Sequence, residues 1–317
     1  MSVLVTGGAG FIGRWVVKKL LEIQKDIVII DNLSNGRKEN LEEFKENINL
    51  KEIVYGDIRD KDLIEELFLK YKFKKCIHLA AQINVQESLD FPERSFENNV
   101  ICTYIILEAA RKYNTKMVLV GTCMVYDLAS SDKAISEQYR VKPTSPYAGS
   151  KLAAEELALS YYYGLGLPVV ILRPFNTYGP FQKSNMDGGV VSIFVSSKLN
   201  NKKLEIFGDG TQTRDFLYVE DCAEFIVKAS ESDRCNGEII NAGTGKDISI
   251  KDLAKLIVGD ENLIKYIEHH HPQSEIMRLV CDNSKAKKLL NWNPTTSLDE
   301  GISKLEQWIR NTQKIIK

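Results

Sequence analysis

No stretch of this chain is apolar for long enough to span a bilayer, and no basic segment precedes a cleavable apolar one; the first residues enter a strand at once. A membrane protein is therefore not expected, and a cytoplasmic setting is. Charge of one sign is missing too: 42 Lys and Arg stand against 43 Asp and Glu, so no overall field draws the chain to nucleic acid or to an anionic membrane surface. The six cysteines (Cys76, Cys102, Cys123, Cys222, Cys235, Cys281) are scattered, with no Cys-x-x-Cys pair and no compact disulfide framework, which predicts reduced, structural thiols. His269, His270 and His271 are adjacent but lack the carboxylate or thiol help that would let them converge on one ion, so no metal is expected and a polar loop on the substrate side is. Repeats and low-complexity tracts are absent. What remains, 317 residues at 44 % hydrophobic content, can bury a large core, and the length suggests two domains.

What is present is an order of elements. Ser2-Val-Leu-Val-Thr6 is a short β-branched run, Gly7-Gly-Ala-Gly10-Phe-Ile-Gly13 follows, and Arg14 to Glu22 has helical apolar spacing. Strand, glycine turn and helix in that order bring backbone N–H groups up to a pyrophosphate at the positive end of a helix. Counted from Gly8 the turn reads Gly-x-Gly-x-x-Gly, and a second strand, Ile27-Val-Ile-Ile30, ends in Asp31, 18 residues beyond Gly13. A carboxylate there accepts hydrogen bonds from an adenosine ribose and repels a 2′-phosphate, which favours NAD over NADP even with Arg37 and Lys38 close behind. Ile53-Val-Tyr-Gly-Asp57-Ile58 reads as a third strand whose Asp57 is placed to bond an adenine amino group.

The alternation continues through Lys75-Cys-Ile-His-Leu79, a helix from Phe96 to Tyr113, Met117-Val-Leu-Val-Gly121, a helix from Tyr147, and Val169-Val-Ile-Leu172. It predicts an α/β fold: a Rossmann-type doubly wound parallel sheet with a smaller mixed α/β substrate domain. Regularity breaks after Arg173. Residues 1–175 are accordingly assigned to the cofactor domain and 176–317 to the substrate domain, with 216–240 returning to the first and Phe216 to Ala229 helical. Tyr147 and Lys151, four apart, share a helix face whose start is set by Ser145-Pro146. A free tyrosine, with a pKa of ~10, needs a nearby cation to act as a base near neutrality, and Lys151 supplies one.

Together with His78-Leu-Ala-Ala-Gln82, Val125-Tyr126, Arg173-Pro-Phe-Asn-x-Tyr-Gly-Pro180 and Gly208-Asp-Gly-x-Gln-x-Arg-Asp-Phe216, these pieces run in order over essentially the whole chain. In that they resemble an extended short-chain dehydrogenase/reductase of the nucleotide-sugar epimerase and dehydratase family. The resemblance implies a first step in which Tyr147 removes a sugar hydroxyl proton while hydride passes to NAD, leaving a keto-sugar. It places Thr122 at the reacting hydroxyl and Lys151 also at the cofactor ribose. The glycines Gly7, Gly10 and Gly13 with Phe11 and Ile12, the acids Asp31 and Asp57 with Asn32 and Ile58, and Leu79, Ala80, Ala81, Gln82 and Asn99 complete the implied cofactor contacts. For a nucleotide diphosphate sugar it implies Asn176, Arg214 and Arg278 at the phosphates, where the planar guanidinium fork suits phosphate, and Val190 and Phe207 on the substrate side, Phe207 flanking the base. It also implies a homodimer built on the helices of residues 96–113 and 147–163.

The chain departs from that family's dehydratases at Thr122-Cys123-Met124. Their middle pair is typically acidic, because elimination needs both an acid for the leaving hydroxyl and a base for the C5 proton. Met124 does neither job and is expected to line the sugar cavity; Cys123 alone offers an exchangeable proton. A 4-epimerase needs only Thr122, Tyr147 and Lys151, so 4-epimerisation of a nucleotide hexose is the expected reaction, with 4,6- or 5,6-dehydration through Cys123 the alternative and a non-enzymatic NAD sensor the remote one. Cys102, where relatives often carry glycine, is expected to alter helix contacts only.

Overall fold

The structure, a computed structural model, describes residues 2–127, 133–183, 189–268 and 277–316; the His269–His271 cluster lies outside them. Seven strands form one parallel sheet: β1 (Ser2–Thr6), β2 (Asp26–Ile30), β3 (Leu50–Val54), β4 (Lys75–His78), β5 (Lys116–Val120), β6 (Val169–Pro174) and, after β7 (Thr177–Tyr178), β8 (Leu204–Phe207), β9 (Thr213–Arg214) and β10 (Leu217–Tyr218), the strand β11 (Ile239–Ala242). Their order is β11-β6-β5-β4-β1-β2-β3. Strands that are buried on both faces need apolar side chains on both, which is why β2 and β5 read as unbroken apolar runs rather than alternations. The chain winds outward from β1 to β3, then restarts at β4 on the other side of β1. A ligand crevice is expected where the winding reverses, at the carboxyl ends of β1 and β4.

Helices α1 (Phe11–Glu22), α2 (Lys61–Tyr71), α3 (Val85–Asp90), α4 (Pro92–Ser95), α5 (Cys102–Tyr113), α6 (Pro146–Leu165), α7 (Val190–Leu199) and α8 (Val219–Glu231) follow in chain order, then α9 (Ile250–Val258), α10 (Ser284–Leu290) and α11 (Leu298–Ile316). One buried cluster sets α1 and α8 against one sheet face, and another sets α2, α5 and α6 against the opposite face. A third core joins α7, α9 and α11 to β8, which pairs in parallel with β13 (Ile264–Ile267). Arg214 and its neighbour lie in a small sheet of β9 between β12 (Ile248–Ser249) and β14 (Arg278–Leu279).

Four boundaries differ from the expectations, each for a local reason. Helix α1 begins at Phe11, three residues before Arg14, because Gly10 with its extended backbone is the N-cap. The third strand ends at Val54, and Asp57 stands beyond it at the head of a turn that Asp60 N–H closes on Asp57 O. The helix expected from Phe96 starts as a π-helical stretch, Phe96–Ile101, before α5. Phe216 precedes the two-residue strand β10, and α8 begins only at Val219. The start of α6 is as expected: Ser145 Oγ accepts from Ala148 N–H, and Pro146 occupies the first turn.

Candidate active site

A cavity of about 550 Å³ opens at the carboxyl ends of β1, β2, β4 and β5. Its floor begins at the glycine turn. A Cβ on Gly13 would sit 2.0 Å from Gly7 O, a clash with backbone that has no room to yield. The turn therefore closes only with glycine there, and it presents Phe11, Ile12 and Gly13, at the amino end of α1, to the cavity. That end carries no acidic residue in its first turn and no side-chain cap, so its N–H groups suit an anion.

Asp31 and Asp57 both reach the cavity wall. Asp31 is buried; its Oδ2 accepts from Ala9 N–H at 2.9 Å and its Oδ1 from Leu33 N–H at 2.8 Å. Burial pushes its carboxyl up and these two bonds pull it back. Asp57 is gripped by both Nε and Nη2 of Arg59 (2.9 and 2.8 Å) and by Asn32 Nδ2 (3.1 Å), which hold it well below the usual carboxylate range. Leu79, Ala80, Ala81, Gln82, Asn32 and Ile58 also line this end. So does Cys102, buried beside Asp57 and Arg59, which makes it a wall residue as well as a helix contact.

Asn99 does not line the cavity but holds its wall. Its Oδ1 accepts from Gln82 N–H (2.8 Å), and its Nδ2 donates to Gln82 O (3.0 Å) and Ser150 Oγ (2.9 Å). Ser150 Oγ donates in turn to Tyr147 O. Behind Asn99, Thr103 Oγ1 gives its proton to Asn99 O, leaving the buried His78 to donate from Nε2 to Thr103 Oγ1 and to accept at Nδ1 from Thr6 Oγ1. Burial lowers His78 to about 3, so it stays neutral. The histidine thus ties β1 to the Asn99 clamp; the sequence offered it only within the His78-Leu-Ala-Ala-Gln82 motif, with no role of its own.

Thr122, Tyr147 and Lys151 converge on the far wall. Thr122 lies two residues beyond β5 and caps the single turn Cys123–Val125, with Met124 N–H on its Oγ1 at 3.2 Å. Burial pushes the neighbouring Tyr147 phenol up to about 12, and the Thr122 side chain pulls it down. Lys151 Nζ donates to Val120 O at 2.6 Å, and burial lowers the ammonium to about 8. In this arrangement the phenol is protonated and the ammonium charged at neutral pH. Cys123 and Met124 follow on the same wall; Cys123 is 4 % exposed, and burial raises its thiol to about 12. The carboxylates among the described wall residues, Asp31, Asp57 and Glu87, stand elsewhere, with Glu87 bonded to Arg94 and Gln82.

A second cavity of about 350 Å³ shares Asn176 and Thr177 with the first. Val190, Phe207 and Arg214 line it, joined by Phe194 and Phe216, whose apolar character marks core and wall alike, and by Gln212; sequence reasoning assigned no site role to these three. Arg214 Nη1 donates to Thr213 O at 2.8 Å, and the backbone beside it is pinned by Asp215, whose buried carboxylate accepts from Thr244 N–H, Thr244 Oγ1, Gly245 N–H and Cys281 N–H. Arg278 lines neither cavity; it pairs with Asp247 (Nε to Oδ2, 3.0 Å) and sits opposite Thr213 in the strand register.

A parallel sheet with its crevice at the winding reversal and a glycine turn at the head of its first helix define a Rossmann-type dinucleotide-binding fold, with a Tyr-x-x-x-Lys pair on the crevice wall. The family described as GDP-mannose 4,6 dehydratase matches residues 4–305. Pal from Bacillus thuringiensis superposes with a TM-score of 0.96 at 55 % identity, over 98 % of this chain and 100 % of that one. UDP-glucose 4-epimerase of Mycolicibacterium smegmatis is 37 % identical over 314 residues, 98 % of this chain and 99 % of its own. A dTDP-glucose 4,6-dehydratase from Bacillus anthracis, solved in complex with NAD, superposes with a TM-score of 0.89 at 29 % identity, covering 99 % of this chain and 98 % of its own. The chain belongs to the extended short-chain dehydrogenase/reductase family of nucleotide-sugar epimerases and dehydratases, a NAD-dependent family.

Proposed function

We propose that this chain is a NAD-dependent nucleotide-sugar 4-epimerase. The observation that carries the reading is the wall at residues 122–124: the Thr122–Tyr147–Lys151 set is assembled, and the two positions after Thr122 hold a thiol and a thioether where elimination would call for an acid and a base. The glycine turn, which a single Cβ at Gly13 would block, and the buried carboxylate of Asp31 fit a dinucleotide. NAD, when bound, supplies the hydride acceptor.

The chain's own part is proton handling and orientation. Tyr147, once ionised to the phenolate, takes the C4 hydroxyl proton as the C4 hydride leaves, Thr122 holds the hydroxyl and the phenol in line, and the Lys151 ammonium lowers the cost of that ionisation. After the 4-keto sugar turns over, hydride returns to the opposite face and Tyr147 gives the proton back to the oxygen. Arg214 and Asn176 hold the diphosphate while the sugar turns, Phe207 and Val190 flank the base, and Met124 gives the turning sugar a compliant apolar surface.

One observation favours a second reading: Cys123 is on the same wall as Tyr147, so its thiol is positioned for proton exchange with carbon once C4 is a ketone. Incubation with a panel of nucleotide hexoses in deuterated water separates the two. Unchanged product mass, no carbon-bound deuterium and a resolved isomer support 4-epimerisation; loss of one water with carbon-bound deuterium supports dehydration instead.

Residues 1–175 with 216–240 are proposed as the cofactor unit and 176–317 as the nucleotide-sugar unit, in a cytoplasmic enzyme; no described helix is long and apolar enough to cross a membrane. Phe96, Ile101 and Tyr104 expose apolar surface along one helical run and Tyr163 along another, which supports a homodimer built on those helices. Light scattering that finds a monomer at all concentrations would reject it.

A further inference from the structure

Among the described residues, the Glu155 side chain stands out: it is fully buried, yet its Oε1 has no hydrogen-bond partner. Its Oε2 is held by both Nε and Nη2 of Arg173, at 2.9 and 2.6 Å. The free oxygen is lodged under the strand end that leads to Thr122. A Cβ on Gly121 would sit 2.0 Å from Oε1, so that position is glycine because the carboxylate takes the space. One peptide back, Val120 O accepts the Lys151 ammonium. Lys151 and Glu155 are four apart on α6 and share a face, so ammonium and carboxylate meet at the same Val120–Gly121 peptide, directly behind Tyr147.

We propose that Glu155 is a positioning residue whose buried carboxylate, lodged against the Val120–Gly121 peptide, sets the pH at which the Tyr147 phenol and the Lys151 ammonium each give up a proton. This deepens the reading above and rests on it for the identity of the base. The groups facing the pair can be enumerated. On α6 they are Glu155 itself and, further out, Glu156; His78 faces Lys151 from the end of β4, Cys123 faces Tyr147 from the turn after β5, and Arg173 faces Glu155 from β6 with Tyr126 stacked on its guanidinium at 4.9 Å. Of these, His78 and Cys123 are neutral at pH 7, and Arg173 is spent on Glu155. Burial pushes the Glu155 carboxyl up and its ion pair with Arg173 pulls it back; ionised in that pair, it acts on both partners with one sign, favouring the protonated form of Lys151 and of Tyr147 alike. Removing it must move both titrations toward lower pH together. A side chain that only filled space would lower activity without moving either.

The test uses the NAD-bound full chain carrying 13C-labelled tyrosine, with the Tyr147 signal assigned by its loss in Tyr147→Phe. In Glu155→Gln, which keeps the shape and still offers Arg173 an acceptor, the Tyr147 titration is expected to fall by about one pH unit or more. Both limbs of the pH–rate profile should move the same way once a substrate is found. The spectroscopic arm needs no substrate, so it stands or falls apart from the epimerase reading. Should Glu155→Gln not fold, Glu155→Met with Arg173→Met removes the carboxylate without stranding a guanidinium, and a downward shift smaller than that of Glu155→Gln is expected, because the paired cation leaves with it. A Tyr147 titration unmoved in a folded variant overturns the proposal, as does a shift to higher pH.

Discussion

The two cavities meet at Asn176 and Thr177 but are built from different material. The first is walled by the ends of long buried strands and by α6, and its polar groups are held by hydrogen bonds that run from side chain to backbone: Asn99 to Gln82, Ser150 to Tyr147, Lys151 to Val120. The second is walled by side chains from short segments, some paired over only two residues, such as β9. The difference assigns tasks. On the proposed reading, chemistry sits where atoms are fixed by the sheet, and ligand choice sits where side chains can be exchanged without disturbing it.

If that division holds, changes on the first wall should remove turnover while leaving substrate binding intact. Tyr147→Phe, which keeps the ring and loses the proton-transfer oxygen, is expected to lower kcat by about 10²–10⁴-fold with nucleotide-sugar affinity unchanged by calorimetry. An equal loss of affinity would mean that the two cavities are not separable. Gly13→Ala attacks the same wall from the cofactor side. Because the new Cβ meets Gly7 O, the turn must open, and activity at limiting NAD should drop about 100-fold with a matching loss of NAD carried through purification.

The second cavity should answer in the opposite way. Arg214→Ala removes a cation from a half-buried wall whose backbone is pinned independently by Asp215. A weakening of nucleotide-sugar binding by about 10–100-fold is expected, from the loss of a charge-assisted hydrogen bond, with kcat within a few-fold of the parent. A fall in kcat alone would place Arg214 in the chemistry and blur the contrast.

The same contrast explains what could be read from the sequence. The sheet was legible because buried parallel strands are written as apolar runs and because the glycine turn and Asp31 are local features at fixed spacing. The pairings of β9 with β12 and β14 join residues far apart in the chain through strands of two residues, and no local period marks those. Arg278 shows the cost: it carries the right chemistry for phosphate but is placed against Asp247, outside both cavities. The clamp role of Asn99, which the resemblance placed at the cofactor, and Glu155 altogether were hidden for another reason. Each acts through a second residue, and a sequence records side chains but not which backbone atom they reach.

The smallest effect is the most discriminating. Cys123 lies on the first wall and is almost completely buried, with its thiol raised to about 12. At neutral pH it is a neutral, poorly nucleophilic group of nearly the same size as serine. If the reaction needs only Thr122, Tyr147 and Lys151, Cys123→Ser changes one wall atom and no charge, and kcat/KM should stay within about threefold of the parent, since a surviving transition state loses little but sulfur contact. If the thiol carries a proton to or from carbon, the same substitution should cost about 10²-fold or more and should abolish carbon-bound deuterium incorporation. Measuring rate and isotope content on the same samples ties the two outcomes together: a large loss of rate with no isotope incorporation in the parent would show that Cys123 shapes the wall rather than moves a proton, and would shift the contrast from chemistry against binding to one of fit within the first cavity.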